Sequence, residues 1–357
     1  MKKQNQKIGL LAAISLIVGN MIGAGIFVLP ASLAKFGGIS ILGWIFTAIG
    51  ALILAKIFSN FSKLISSKSG GPYLYSKVVF GDFIGFLVAW GYWISCWINN
   101  AAIAVAIVSA LSFFFPVLIN SPLYATLTGL SFIWLFTWTS SNGVKFSGNI
   151  QIITTVAKLL PLLFIIISGI FIFDSNLFPE FNNTEQSDFE IFPIVCIMTL
   201  YAFLGIESAT IPASSIKNPN ITIPRATMIG TVISTLIYIF GTIILFGILP
   251  METLIDSPAP FAEAGNIVAG KHGGYFISAG AAISAIGALN GWILITSYMP
   301  ISMANDNLFP KVFKNTNSKG SPIVSLVFGS ILTSFVMTMN FKEKEGRQNY
   351  LNNKLDD

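Results

Sequence analysis

Apolar residues gather in long runs along the whole chain, each closed by a short polar stretch, at 8–34, 38–62, 82–113, 122–140, 149–173, 190–213, 224–249, 273–304 and 321–339. A run of about 18 apolar residues or more is long enough to cross a hydrocarbon core of roughly 30 Å as a helix, so the pattern predicts nine crossings. Two runs carry a flaw. "IVGNMIGAGIFVLP" (17–30) places Gly19, Asn20, Gly23 and Gly25 inside the first, and "LYAFLGIESAT" (200–210) places Gly205, followed by Glu207, inside the sixth. These residues weaken a helix where the bilayer is least forgiving.

Backbone that leaves the helix at membrane depth is tolerated only where protein or a water-filled cavity satisfies its freed N–H and C=O groups. Each flaw therefore marks a cavity, unless the glycines serve only close helix packing, for which "GNMIG" also has the spacing. One flaw falls in the first of the chain's first five runs, the other in the first of its remaining runs. That arrangement is expected of inverted repeats with discontinuous helices at the midplane, where half-helix N-termini hold a carboxylate and unwound carbonyls hold cations. The predicted division is a first repeat at 8–173 and an incomplete second repeat at 190–339.

Composition agrees with a polytopic all-α membrane protein: the 357 residues are 54% hydrophobic and 10% charged, against about one quarter charged in soluble domains. "MKKQNQK" has the look of a signal-peptide n-region, but the run behind it is long and many like it follow, so it reads as residues 1–7 of a cytoplasmic N-terminus before an uncleaved span. Lys63, Lys68, Lys77, Lys145, Lys217, Lys311, Lys314 and Lys319 all fall in loops on that same side, whereas 173–190 holds five carboxylates and no Lys or Arg. The positive-inside bias thus puts the N-terminus in the cytoplasm. Residues 340–357 break the pattern by carrying Lys342, Lys344, Arg347 and Lys354 to the opposite side; either a disordered tail or a truncation or frame shift, with later helices missing, accounts for them.

The candidate chemistry is sparse. Cys96 and Cys196 lie in apolar runs and offer neither a disulfide framework nor metal-ligand spacing. The sole histidine, His272, sits in a loop, and no HExxH or clustered carboxylates suggest a membrane enzyme. No cofactor is implied. The net charge of +5 is explained by topology, with no basic patch for nucleic acid. Glu207 is the one carboxylate placed deep in a span; an uncompensated charge there costs several kcal/mol, which marks it as a proton carrier or gate residue, or else as a cap on the half-helix. Lys158 is a cation in mid-span, too far from either end to reach water by its stem. A channel would need a ring of like groups around a pore, which two asymmetric breaks do not supply.

The stretches "GNMIGAGIFVLP", "SGGPYLYSKVVFGDFIGFLVAWGYW" (69–93), "FLGIESA" (203–209) with "KNPNITIPRA" (217–226), and "PAPFAEA" (258–264) together resemble the amino acid/polyamine/organocation transporters, and among them the basic amino acid/polyamine antiporters, over about residues 7 to 325. The resemblance implies a 5+5 inverted-repeat fold with discontinuous first and sixth helices, C-terminally incomplete here because the pattern has twelve. It implies exchange of a cationic amino acid for its amine, arginine/agmatine-like, across a bacterial inner membrane, with an amino acid or polyamine and the lipid bilayer as partners. A broader proton-coupled amino acid permease and an inactive truncated transporter are its alternatives, and a homodimer stays open. Backbone from Met21 to Gly25 is implied to hold the substrate carboxylate, with Ala24 where the pattern has a serine. Tyr92 looks like a gate, and Ser95, Cys96 and Asn100 resemble substrate-lining positions. Tyr201 stands where the pattern has a larger tryptophan, Trp292 matches the aromatic face on which a substrate side chain stacks, and Leu204 lines the same place. Lys158 resembles the lysine that replaces a sodium ion beside the first break in many amino acid carriers, though not in arginine/agmatine exchangers. The faces of Tyr92, Tyr201 and Trp292 could each bind a cation with about 0.5 to 2 kcal/mol.

Overall fold

The inside-out character of one helix sets the architecture. Along α8 (Val144–Gly169) the residues Gln151, Thr155, Lys158, Leu162 and Ile165 are buried, while Ile153, Val156, Leu160, Leu163, Ile167 and Ile170 are exposed. Polar groups face the protein and branched apolar ones face out, at helical spacing, which is the reverse of a helix at a water surface and suits one surrounded by lipid. The computed structural model describes residues 7–65 and 68–355. The N-terminal segment read as cytoplasmic lies outside the described residues apart from Lys7.

Among the described residues every regular element is a helix, with one isolated parallel bridge between Ile8 and Ile216. The first run becomes α1 (Leu10–Met21), a tight turn Ala24–Phe27, and α2 (Leu29–Ala34). It is followed by α3 (Ile39–Leu64), the short α4 (Pro72–Phe80), α5 (Asp82–Ser112), α6 (Val117–Asn120) and α7 (Pro122–Ser141) ahead of α8. The sixth run becomes α9 (Asp188–Tyr201) and then irregular turns through Pro212. Next come α10 (Pro219–Ile248), α11 (Met251–Asp256), α12 (Pro260–Asn305) and α13 (Ile323–Leu355). Six helices, α3, α5, α8, α10, α12 and α13, are long and apolar enough to cross a membrane. Of the other three expected crossings, α1 and α9 are cut to 12 and 14 residues at the two flaws, and α7 spans 20.

Three features depart from the apolar pattern. The backbone of α13 continues as helix across the segment read as a separate tail. The helices α4, α6 and α11 are too short to give a periodic signal. The stretch 260–272 is helical rather than loop, and α12 doubles back within it, because Gly270 takes φ +60° and Gly273 then meets Gly265 with no room for a side chain between them. The long arm of α12 lies along α8 and α5, α3 lies along α10, and α1 is enclosed by α10, α8 and α12. The broken first helix is therefore at the centre, and what its break exposes is exposed to protein rather than to lipid.

Candidate functional site

In α1 the hydrogen-bond ladder is intact as far as Ile22, whose N–H reaches Val18 O at 2.8 Å; the next amide, Gly23, turns instead to Met21 O at 3.0 Å. Gly19 O thereby loses its helical donor. Lys158 takes its place: the fully buried ammonium donates to Gly19 O (2.9 Å), Ile22 O (2.7 Å) and Ser284 O (3.1 Å). All three of its N–H bonds are used on carbonyls, charge-assisted contacts that are stronger than neutral ones. Ser284 Oγ adds a second donor, to Ile22 O at 3.0 Å and Gly23 O at 3.1 Å.

The second break is built on Gly205, at φ +113°. Its N–H bonds to Glu207 Oε2 at 3.2 Å, and Ala202 O accepts from the Tyr238 hydroxyl at 2.9 Å, so side chains take over from the interrupted ladder. The two breaks lie against each other. A Cβ on Gly205 would stand 3.2 Å from Asn20 C, Asn20 Cβ and Met21 N, and Asn20 Nδ2 donates to Ser208 Oγ at 2.9 Å.

Beside this junction lies a cavity of about 480 Å³, within the usual size for a small-molecule site. Its lower part holds the polar groups: Tyr92 donates to Glu207 Oε1 at 2.6 Å, Ser95 to Tyr92 O at 2.8 Å, and the Trp292 indole to Asn20 O at 3.3 Å. On α5 the lining runs from Tyr92 through Ser95, Asn99 and Ile103 to Ala106. Fourteen residue steps at 1.5 Å each carry it about 21 Å towards the Ser112 end of that helix, and Tyr201, 69% exposed, adds the last residue of α9 to the lining. The cavity opens away from the Asp82 end.

The Asp82 end is closed. Ile8 N donates to Ser215 O and Lys217 N to Ile8 O, both at 2.9 Å, Gly70 N reaches Ile211 O at 2.9 Å, and Tyr298 pairs with Ser215 at 2.9 Å. Asp306, just past α12, accepts from Tyr73 at 2.8 Å and pairs with Lys77 at 2.9 Å, and Lys77 also reaches Asp82 at 3.1 Å. Partial burial works against the charged Asp306, but the hydrogen bonds from Lys77 and Tyr73 outweigh it and hold its carboxyl below the ordinary aspartate value. Burial likewise opposes the charge of Lys77, and its two carboxylate partners outweigh that to raise it.

Of the residues singled out in the sequence, Met21, Ala24, Gly25, Tyr92, Ser95, Cys96, Tyr201, Leu204, Glu207 and Trp292 line this cavity. Lys158 does not; it sits behind the α1 break. Asn100 is turned one residue round the helix, 1% exposed, and donates to Thr296 Oγ1 at 3.1 Å in a narrow polar gap between α5, α12 and α13. Its neighbour Asn99 faces the cavity instead, as do Asn20 and Tyr238. Asn20 was readable as part of the flaw itself; for Tyr238, one of many aromatics in apolar runs, the sequence carried no signal. Among the described residues no three His, Cys, Asp or Glu side chains gather as a metal site.

Comparison with known proteins matches residues 8–348 to the amino acid permease family model. The cadaverine/lysine antiporter of Escherichia coli (strain K12) is 34% identical over 94% of this chain and 75% of its own length. The arginine/ornithine antiporter of Latilactobacillus sakei is 33% identical over 96% of this chain and 74% of its own, and that of Pseudomonas aeruginosa 31% over 95% and 72%. A solved structure of a Na⁺-coupled sialic acid symporter in its substrate-bound outward-open state shares the fold with a TM-score of 0.62 at 14% identity, covering 94% of this chain and 75% of that one.

Proposed function

The chain belongs to the amino acid permease family, and we propose that it exchanges a basic amino acid for its decarboxylated amine, or for a second basic amino acid, by alternating access across a bacterial inner membrane. Relatives that are amino acid antiporters support transport by exchange. The observation that carries the finer reading is the cavity where both helix breaks meet, with Glu207 at its floor and Tyr92, Tyr201 and Trp292 around it. A carboxylate and three aromatic rings in one apolar enclosure suit a cation.

The substrate carboxylate is held at the first break. Ala24 and Gly25 open the turn beyond it, and amides at the start of a helical turn have no carbonyl partner within it. Tyr201 closes over the loaded cavity. With the N-terminus and α4 facing the cytoplasm, as the positive-inside bias has it, the cavity opens to the outside.

A second reading is favoured by one observation: the Lys158 ammonium lies on the freed carbonyls of α1. There it substitutes for a mobile cation, as in a broader proton-coupled amino acid permease. Proteoliposomes loaded with lysine, arginine or ornithine and challenged with labelled lysine, ornithine, cadaverine or agmatine test both readings. Saturable, trans-stimulated uptake without an imposed proton gradient is expected. Uptake that needs an inward proton gradient and no internal substrate would favour the permease.

A further inference from the structure

Nearly every polar side chain on the cavity wall is already spent on the protein. Tyr92 and Gly205 N–H take both oxygens of Glu207, Ser95 is turned to Tyr92 O, Tyr238 to Ala202 O, the Trp292 indole to Asn20 O, and Asn20 Nδ2 to Ser208. The remaining Asn20 acceptor, Oδ1, is buried against Gly291, not turned to the cavity. The Cys96 thiol is a weak hydrogen-bonding group. Two lining side chains remain with no hydrogen-bond partner among the described residues: Asn99 on α5 and Tyr201 at the end of α9.

Asn99 shares a face of α5 with Tyr92 and Ser95, seven and four residues on, which sets it about 10 Å and 6 Å above them along the helix. Beyond it that wall is Ala102, Ile103 and Ala106, and Met198, Leu204, Ile26 and Leu29 complete an apolar belt. The cavity therefore has a polar floor, one uncommitted amide about halfway along its α5 wall, and an apolar belt beyond that amide. A solute with one polar end at the floor and another about 10 Å along the same wall meets Asn99 with its far end.

We propose that Asn99 is a specificity-determining residue that hydrogen-bonds the outer end of an extended basic substrate. The proposal rests on the exchange reading above. An amide oxygen accepts from an ammonium, and with the substrate carboxylate at the first break the end that reaches Asn99 is an ammonium in the amino acid and in the amine alike. Asn99 therefore serves both, where an apolar side chain serves neither. Acting on the far end of the bound solute, it changes external KM rather than the turnover of a loaded carrier.

The test compares wild type with Asn99→Leu, Asn99→Ser and Asn99→Asp in proteoliposomes, measuring external KM and kcat for lysine, ornithine and cadaverine, with thermal unfolding in detergent as a folding control. Loss of one hydrogen bond to a charged group predicts a rise in external KM of about tenfold for Asn99→Leu with kcat little changed. Asn99→Ser is expected between Asn99→Leu and wild type, and Asn99→Asp should lower the KM of lysine, ornithine and cadaverine alike. Wild-type exchange with all three variants unchanged in KM overturns the role of Asn99 alone. Absence of saturable exchange of any basic substrate by wild type overturns the exchange reading and this proposal together.

Discussion

The Tyr92 hydroxyl stands 2.6 Å from Glu207 Oε1 across the floor of the cavity, tying α5 to the broken segment after α9. Glu207 is 8% exposed and bonds at its other oxygen to Gly205 N–H, so it both faces the cavity and braces the break. Glu207→Ala is expected to abolish or strongly reduce exchange while the protein remains inserted. Tyr92→Phe leaves a carboxylate oxygen without its partner, a cost of about 1–3 kcal/mol, and should lower both thermal stability and exchange. Counterflow rates normalised to inserted protein check both, and normal kinetics in Glu207→Ala would remove it from the mechanism.

Lys158 donates to Gly19 O and Ile22 O, both freed by the break in α1, and to Ser284 O on α12; the Ser284 hydroxyl is the other donor to Ile22 O. Lys158→Met keeps the stem and removes the donors. It is expected to lower the unfolding temperature in detergent, by an amount reflecting about 1–3 kcal/mol for each buried carbonyl left unpaired, and to stop transport. Unfolding curves of the two proteins at one detergent concentration decide it.

Gly205→Ala tests the contact between the breaks. A methyl there meets Asn20 and Met21 at 3.2 Å on a backbone at φ +113°, and such strain costs on the order of 1–3 kcal/mol. The variant should unfold earlier and exchange slowly, whereas Gly50→Ala, with nothing within 4 Å, should be near neutral.

At the closed end, Asp306 has its carboxyl held below the usual value by Lys77 and Tyr73. Its folded value being depressed, the stabilisation is complete above the unfolded value near 3.9 and is lost as pH falls through the folded one. Unfolding temperature should therefore drop below about pH 4 in wild type and less steeply in Asp306→Asn. Equal slopes would show that this carboxylate contributes nothing there.

Trp292→Leu should weaken cationic substrates more than small neutral amino acids in competition assays, since it removes a cation-binding face worth about 0.5 to 2 kcal/mol. An equal loss for both would discredit stacking at this position.

The sites of the breaks were legible because Gly19, Asn20, Gly23 and Gly205 interrupt runs that are otherwise uniformly apolar, and only such an interruption stands out against that background. The mid-span position of Lys158 was legible for the same reason. The choice between Asn99 and Asn100 was not: α5 has apolar residues on all sides, so its sequence carries no phase, and one residue of rotation decides which amide meets the cavity. Nor were α4, α11 and the reversal at Gly270, since a helix of six to nine residues shows too few turns for a period and the reversal depends on Gly265 and Gly273 meeting in space.

The closure at the Asp82 end rests partly on ions that remain in touch with water, the side chain of Lys77 being 22% exposed and that of Asp82 64%. Contacts of that kind weaken as electrolyte accumulates, with a screening length of about 8 Å at physiological strength. In the exchange cycle proposed above, the balance between the two orientations is thus open to adjustment by the salinity on the Lys77 side alone, while the apolar belt along the cavity stays indifferent to it.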